Sequence, residues 1–84
     1  MYVAIETRNG ALQHAALRKT LDLAVEAALD MVDLEAARNP GEPPHKCRER
    51  LGIALSGAPS LVELGDFAWS VGRVCDMGPL KGVR

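Results

Sequence analysis

The chain has 84 residues, 48% of them hydrophobic and 25% charged, with a formal net charge of −1. These values are typical of one folded globular domain, and the near-neutral charge gives no global attraction to nucleic acid or to an anionic membrane surface. No stretch approaches the ~20 apolar residues that cross a bilayer. Glu6 and Arg8 precede any apolar run, which argues against a signal peptide. We therefore expect a cytoplasmic protein.

The N-terminus predicts a short β-strand over Tyr2–Thr7, in which Val3, Ile5 and Thr7 alternate with Tyr2, Ala4 and Glu6. Asn9 and Gly10 follow, a pair that is typical of a tight hairpin turn. The next six residues, 11–16, have better helix than strand propensity. The sequence thus favours strand, turn and helix, with a hairpin as the alternative. Because an isolated strand is unstable, we expect this one to pair with the C-terminal tail, 80–84, or with a second chain.

The longest predicted element is a helix over Ala11–Arg38, which would be about 42 Å long. Its apolar residues cover an arc of roughly 200°, whereas a helix lying on one core usually shows little more than 100°. A compact domain of this size is about 30 Å across. The helix must therefore protrude, support a dimer, or break at Thr20, a candidate N-cap. Its apolar excess predicts a homodimer or another protein partner.

Four acidic residues occupy the opposite side of this predicted helix: Asp22, Glu26, Asp30 and Asp33. They are either a solvated face or a surface that meets a basic partner. Helical spacing along one line does not converge the oxygens on a point, so we expect no metal there.

A stiff connector, 39–44, leads to a second predicted helix, Pro44–Ser56. One narrow apolar stripe follows it, formed by Cys47, Leu51, Ala54 and Leu55. Lys46, Arg48 and Arg50 flank this stripe instead of sharing one face. The basic residues are either solvated, paired with the acidic first helix, or in contact with phosphate in a small nucleic-acid-binding regulator.

A third helix is predicted to begin at Ser60, because Ser60 and Glu63 match the capping-box pattern, and to end at Gly78-Pro79. Gly65 and Gly72 inside it indicate the close approach of another helix.

A binding patch is predicted on this third helix. Val62, Trp69 and Arg73 point away from its main apolar face, and Trp and Arg are enriched among residues that dominate binding energy. The alternative is that Trp69 packs inside the domain.

The two cysteines, Cys47 and Cys75, are predicted to be reduced core thiols. Together with His14 and His45 they have the residue types of a zinc site, but their spacing does not match one. The same spacing disfavours a cysteine–histidine nucleophile. We therefore expect no metal, no cofactor and no catalytic residue.

Taken as a whole, the sequence predicts one mainly α domain over 1–84, with three helices, a long first helix and a short N-terminal β-strand. The expected function is a small non-enzymatic protein–protein interaction module that binds a surface of a larger protein. Adaptors, antitoxins and phage-type inhibitors of host machinery fit this description. The alternative is a nucleic-acid-binding regulator that uses the basic second helix.

Overall fold

The computed structural model describes residues 1–76, which form a four-stranded antiparallel sheet with its helices packed on one face. The strands are β1 (Tyr2–Arg8), β2 (Ala11–Arg18), β3 (Ser60–Leu64) and β4 (Phe67–Arg73), in the sheet order β2-β1-β4-β3. The helices are α1 (Leu21–Met31), α2 (Leu34–Ala37) and α3 (Pro44–Ser56), and Val74–Asp76 adds a 3₁₀ turn. The predicted mainly α, three-helix fold is wrong, and so is the description of the protein as helical.

The N-terminal strand is part of a β-hairpin, which the sequence offered only as the alternative. Asn9 and Gly10 have φ angles of 51° and 80°, the left-handed values that a two-residue hairpin turn needs. This turn, and pairing of β2 along β1, override the helix propensity of an alanine-rich segment. β1 also pairs with β4 along its whole length. The strand therefore has two partners within the chain, and residues 80–84, its predicted partner, lie outside the described residues.

The predicted long first helix is divided into a strand and two helices. Thr20 ends the extended segment, and its Oγ1 accepts a hydrogen bond from the Leu23 N–H at 3.2 Å, so the predicted cap at Thr20 is confirmed. Asp33 begins α2 in the same way, with its Oδ1 accepting from the Ala36 N–H at 3.2 Å. The wide apolar arc belongs to α1 itself, whose buried residues Ala24, Val25, Ala27, Ala28 and Leu29 pack against both the sheet and α3.

Two helices were predicted in the C-terminal half, and the structure confirms only the first of them. α3 has the predicted bounds, Pro44–Ser56. The predicted third helix is a hairpin of β3 and β4, with Gly65 at a φ of 59° in its turn. Ser60 does not cap a helix, since its hydroxyl donates to the carbonyls of Leu55 and Val71 at 2.7 and 3.2 Å.

The main core lies between the sheet and the helices. It contains the buried side chains Ala4, Ala24, Val25, Ala27, Ala28, Leu29, Val32, Cys47, Leu51, Leu55, Trp69 and Val71. Three of the four residues in the predicted stripe of α3 are among them, whereas Ala54 is exposed. Val3 and Ile5 point to the other face of the sheet, where Val74 packs against them.

Candidate functional site: an acidic aromatic pocket

Both hairpin turns lie at the same end of the sheet. Arg8 and Phe67, which flank the two turns, are paired in the β1–β4 register. The Asn9 N–H donates to the Asp66 carbonyl at 2.8 Å and ties one turn to the other. The end of α1 and the start of α2 reach the same place, so three segments that are distant in sequence meet there.

A cavity of about 580 Å³ opens at this end, which we call the turn-end pocket. Its lining is Glu6, Met31, Asp33, Ala36, Leu64, Gly65, Asp66, Phe67 and Trp69. Three of these residues are acidic and two are aromatic, and within residues 1–76 the lining includes no lysine, arginine or histidine. The pocket therefore combines negative charge with aromatic faces.

The aromatic wall of the pocket comes from alternate residues of β4, which share one face of the strand. The rings of Phe67 and Trp69 are stacked, with centroids 5.7 Å apart and planes 7° from parallel. Trp69 is 1% exposed, and its Nε1 donates to Glu6 Oε2 at 2.7 Å. The Arg8 guanidinium carbon lies 5.4 Å from the centroid of the Phe67 ring. The ring face of this wall thus already contacts one guanidinium.

The acidic residues of the pocket are held in defined positions. Glu6 is 7% exposed, with one oxygen bound to Trp69 and the other 3.5 Å from the Nε2 of His14. Asp33 is fixed by its cap bond to α2, and Asp66 follows Gly65 in the β3–β4 turn. A carboxyl group buried beside a cavity produces a stronger field there than one in open solvent. The three carboxyl groups that line the pocket therefore favour a positively charged ligand over a negatively charged one.

The predicted partner patch does not lie on a helix. Trp69 is in the core, Val62 is half-buried opposite it in the β3–β4 register, and Arg73 is exposed at the far end of β4, where it pairs with Tyr2. The three side chains are therefore not presented together. Trp69 contributes instead to the wall of the turn-end pocket.

The predicted acidic stripe is divided between two places. Asp22, Glu26 and Asp30 are exposed on α1, and Arg48 of α3 donates hydrogen bonds to Glu26 and Asp30. This is the contact with the acidic segment that the sequence offered as one interpretation of the basic residues. Asp33 is not on this face of α1, because it caps α2 and lines the turn-end pocket.

The other basic residues of α3 also contact acids. Arg50 donates to both carboxyl oxygens of Glu42, at 2.9 and 3.0 Å, and these bonds lower the pKa of Glu42 to about 2. Lys46 lies 3.8 Å from Glu49. All three predicted phosphate-contacting residues thus lie within 4 Å of a carboxylate of the chain.

The two cysteines have different surroundings. Cys47 is a buried free thiol in the core, as predicted, whereas Cys75 is exposed, so the prediction of a core position is wrong for Cys75. Over residues 1–76, no group of three or more histidine, cysteine, aspartate or glutamate side chains is arranged to hold a metal ion. In the same part of the chain, no helix has the length and apolar character needed to cross a membrane.

No protein-family model, curated protein or solved structure matches this chain. Sequence analysis missed this site because its acids come from β1, the α1–α2 junction and the β3–β4 turn. One local signal was present: Phe67 and Trp69 are two residues apart, the spacing that puts both side chains on one face of a strand.

Proposed function

We propose that this protein is a small non-enzymatic binding module that captures a basic side chain of a larger protein partner in the turn-end pocket. The observation that carries the proposal is the combination of a stacked Phe67–Trp69 wall with three acidic residues around one cavity. The proposed setting is the cytoplasm, which agrees with the free thiol of buried Cys47.

The chemistry of the pocket suits an arginine side chain best. A guanidinium is planar, stacks on aromatic faces and donates in a fixed fork that matches a carboxylate. The turn-end pocket places the aromatic side chains of Phe67 and Trp69 beside the carboxylates of Asp33 and Asp66. Arg8 above Phe67 is an intramolecular example of the same contact. A cavity of about 580 Å³ has room for such a side chain and part of its backbone.

Charge elsewhere in the protein supports the same type of partner. The pocket lies beyond the C-terminal end of α1, and that helix carries Asp22, Glu26 and Asp30 on its exposed side. Arg48 neutralises this face only in part, since one guanidinium serves two of the carboxylates. A basic segment of a partner protein would therefore find the pocket next to a surface that does not repel it.

A peptide titration tests the proposal. Trp69 is the chain's sole tryptophan and lines the pocket, so its fluorescence reports occupancy. We expect a short acetylated peptide with one arginine to change the emission with saturation. The same peptide with citrulline, a neutral isostere of arginine, should bind at least about tenfold more weakly, a difference of ~1.4 kcal/mol.

Matched variants locate the binding. Asp66→Asn should weaken the arginine peptide roughly fivefold, or ~1 kcal/mol, because it removes one carboxylate from the pocket rim. Asp22→Asn makes the same chemical change on α1, outside the pocket, and should leave the affinity unaltered. Equal affinity for the arginine and citrulline peptides, or no saturable signal with either, would contradict the proposed function.

A further inference from the structure

The two edges of the sheet differ in how well they are protected. β3 is the short edge, with five residues, and α3 packs beside it. Its first residue, Ser60, is bonded to α3 and to β4, and Pro59 precedes it. β2 is the other edge and has eight residues, of which only Ala16 is partly buried. Proline, lysine and inward-pointing charges are the usual protections of an edge strand, and β2 contains no proline or lysine.

β2 also exposes apolar side chains along an edge that no strand within residues 1–76 pairs with. Leu12 and Leu17 are 61% and 56% exposed. The register places them opposite Thr7 and Val3, on the sheet face away from the helices. They share that face, although five positions apart, because the register shift between Glu6 and Thr7 inserts an extra residue into β2. An exposed edge with two leucines on one face is a template for strand addition.

We propose that β2 pairs antiparallel with β2 of a second copy, which joins two sheets into one of eight strands. The pattern of the strand is self-complementary. A twofold axis at Ala15 places Leu17 of one copy beside Leu12 of the other, twice, because the extra residue at the register shift moves Leu12 to the position opposite Leu17. The four leucines then lie together on the same face. The small side chains of Ala15 and Ala16 occupy the centre and let the backbones approach.

Charge also favours a second copy as the occupant. Arg18 is the one residue of β2 with a permanent charge. In the proposed register the two Arg18 residues lie at opposite ends, about 20 Å apart at 3.4 Å per residue, so they do not repel each other. A strongly charged partner would find no complementary charge along the strand. This inference does not depend on the proposed function, because the turn-end pocket is lined by no residue of β2.

Two exposed side chains of β2 bond its own carbonyls. Gln13 donates to the Ala11 carbonyl at 3.3 Å, and Arg18 donates to the Leu17 carbonyl at 2.8 Å. Both donors are exposed and flexible, so a second strand can replace them at little cost. The interface is small, and the dimer should therefore be reversible and dependent on concentration.

Sedimentation equilibrium over a range of concentrations tests the pairing. We expect the mass to rise with concentration from the monomer value of 9.0 kDa to twice that value. Leu17→Lys should raise the dissociation constant at least about tenfold, because it places a charge within the leucine cluster. The matched control is Leu61→Lys on β3, where the leucine is 60% exposed on the same face of the sheet. It should leave the mass curve unaltered.

Disulfide trapping tests the register. In the Ala15→Cys, Cys75→Ser double variant, the new thiols face each other across the twofold axis and should form a covalent dimer under mild oxidation. Ala11→Cys in the same Cys75→Ser background should not, because the two thiols are then far apart. A wild-type mass that stays at 9.0 kDa throughout, or a dimer that Leu17→Lys does not weaken, would overturn the inference. So would crosslinking of Ala11→Cys in preference to Ala15→Cys.

Discussion

Two concavities of similar size, the turn-end pocket and the groove between α1 and α3, treat their acidic residues differently. The groove has a volume of about 640 Å³ and is lined by Asp22, Glu26 and Glu49, but also by Arg48 and His45. Arg48 bridges Glu26 and Asp30 across the two helices. In the turn-end pocket, the acids face stacked rings and a hydrophobic lining. Arg48 neutralises the acids of the groove in part, whereas the lining of the turn-end pocket, within residues 1–76, includes no basic residue.

This difference shows why counting charges along a sequence is a poor guide to a site. The acidic stripe attracts notice because Asp22, Glu26 and Asp30 are four residues apart, yet two of these three bond to Arg48 of α3. Glu6, Asp33 and Asp66 have no regular spacing, and the fold brings them around one cavity. Substitutions in the pocket and in the groove should therefore have different consequences for stability and binding.

Substitution in the aromatic wall should cause the largest loss in the free energy of unfolding. Trp69 is 1% exposed and lies both in the core and in the pocket. Trp69→Ala should lower the free energy of unfolding by about 3–5 kcal/mol, because it leaves a cavity between sheet and helices. Urea denaturation followed by circular dichroism measures this change. A loss below about 1 kcal/mol would mean that Trp69 is not a core residue.

A milder variant separates the ring from its hydrogen bond. Trp69→Phe keeps an aromatic ring but removes the N–H that donates to Glu6 Oε2 at 2.7 Å. The buried carboxyl group is then left without this donor, which should cost about 1–3 kcal/mol. Combining it with Glu6→Leu, which removes the carboxyl group as well, should recover part of that loss in the same denaturation experiment. An additive loss in the double variant would refute the coupling.

Substitution of Arg48 in the groove between α1 and α3 should lower the free energy of unfolding only slightly. Arg48→Met keeps the apolar stem of the side chain and removes its bonds to Glu26 and Asp30. The two acids are more than half exposed, so the expected loss is at most about 1 kcal/mol and should shrink as salt is added. Binding of the arginine peptide should persist in this variant. Loss of that binding would mean that the peptide's arginine binds in the groove and not in the turn-end pocket.

The smallest effect should come from Glu42, and it should disappear in acid. The two hydrogen bonds from Arg50 lower the pKa of this carboxyl group from 4.5 to about 2. A carboxyl group whose pKa is lower in the folded state contributes stability above its unfolded pKa and loses it as the pH falls towards the folded value. The melting temperature of the wild type should therefore exceed that of Glu42→Gln at pH 6. The two should converge as the pH falls from about 4.5 to about 2. A constant difference across this range would contradict the assignment.

Local signals in the sequence determined several elements correctly. Pro44 at the start of α3 and Gly57 after it bound that helix, and Thr20 caps α1 as its residue type predicts. The pair Asn9-Gly10 indicated a hairpin, although the alanine-rich segment after it was assigned to a helix. These features depend on a few neighbouring residues, so the sequence contains enough information to place them.

Tertiary structure decided what neighbouring residues could not. β2 is a strand because β1 offers it backbone partners, and Ser60 begins a strand because β4 pairs with that segment. The apolar spacing of 60–75 fits one face of a helix as well as two alternating strands, and pairing energy between distant segments settles such ambiguity. The turn-end pocket has the same origin. Its carboxylates are 27 and 33 positions apart along the chain, and only the closure of the sheet against α1 and α2 brings them to one cavity.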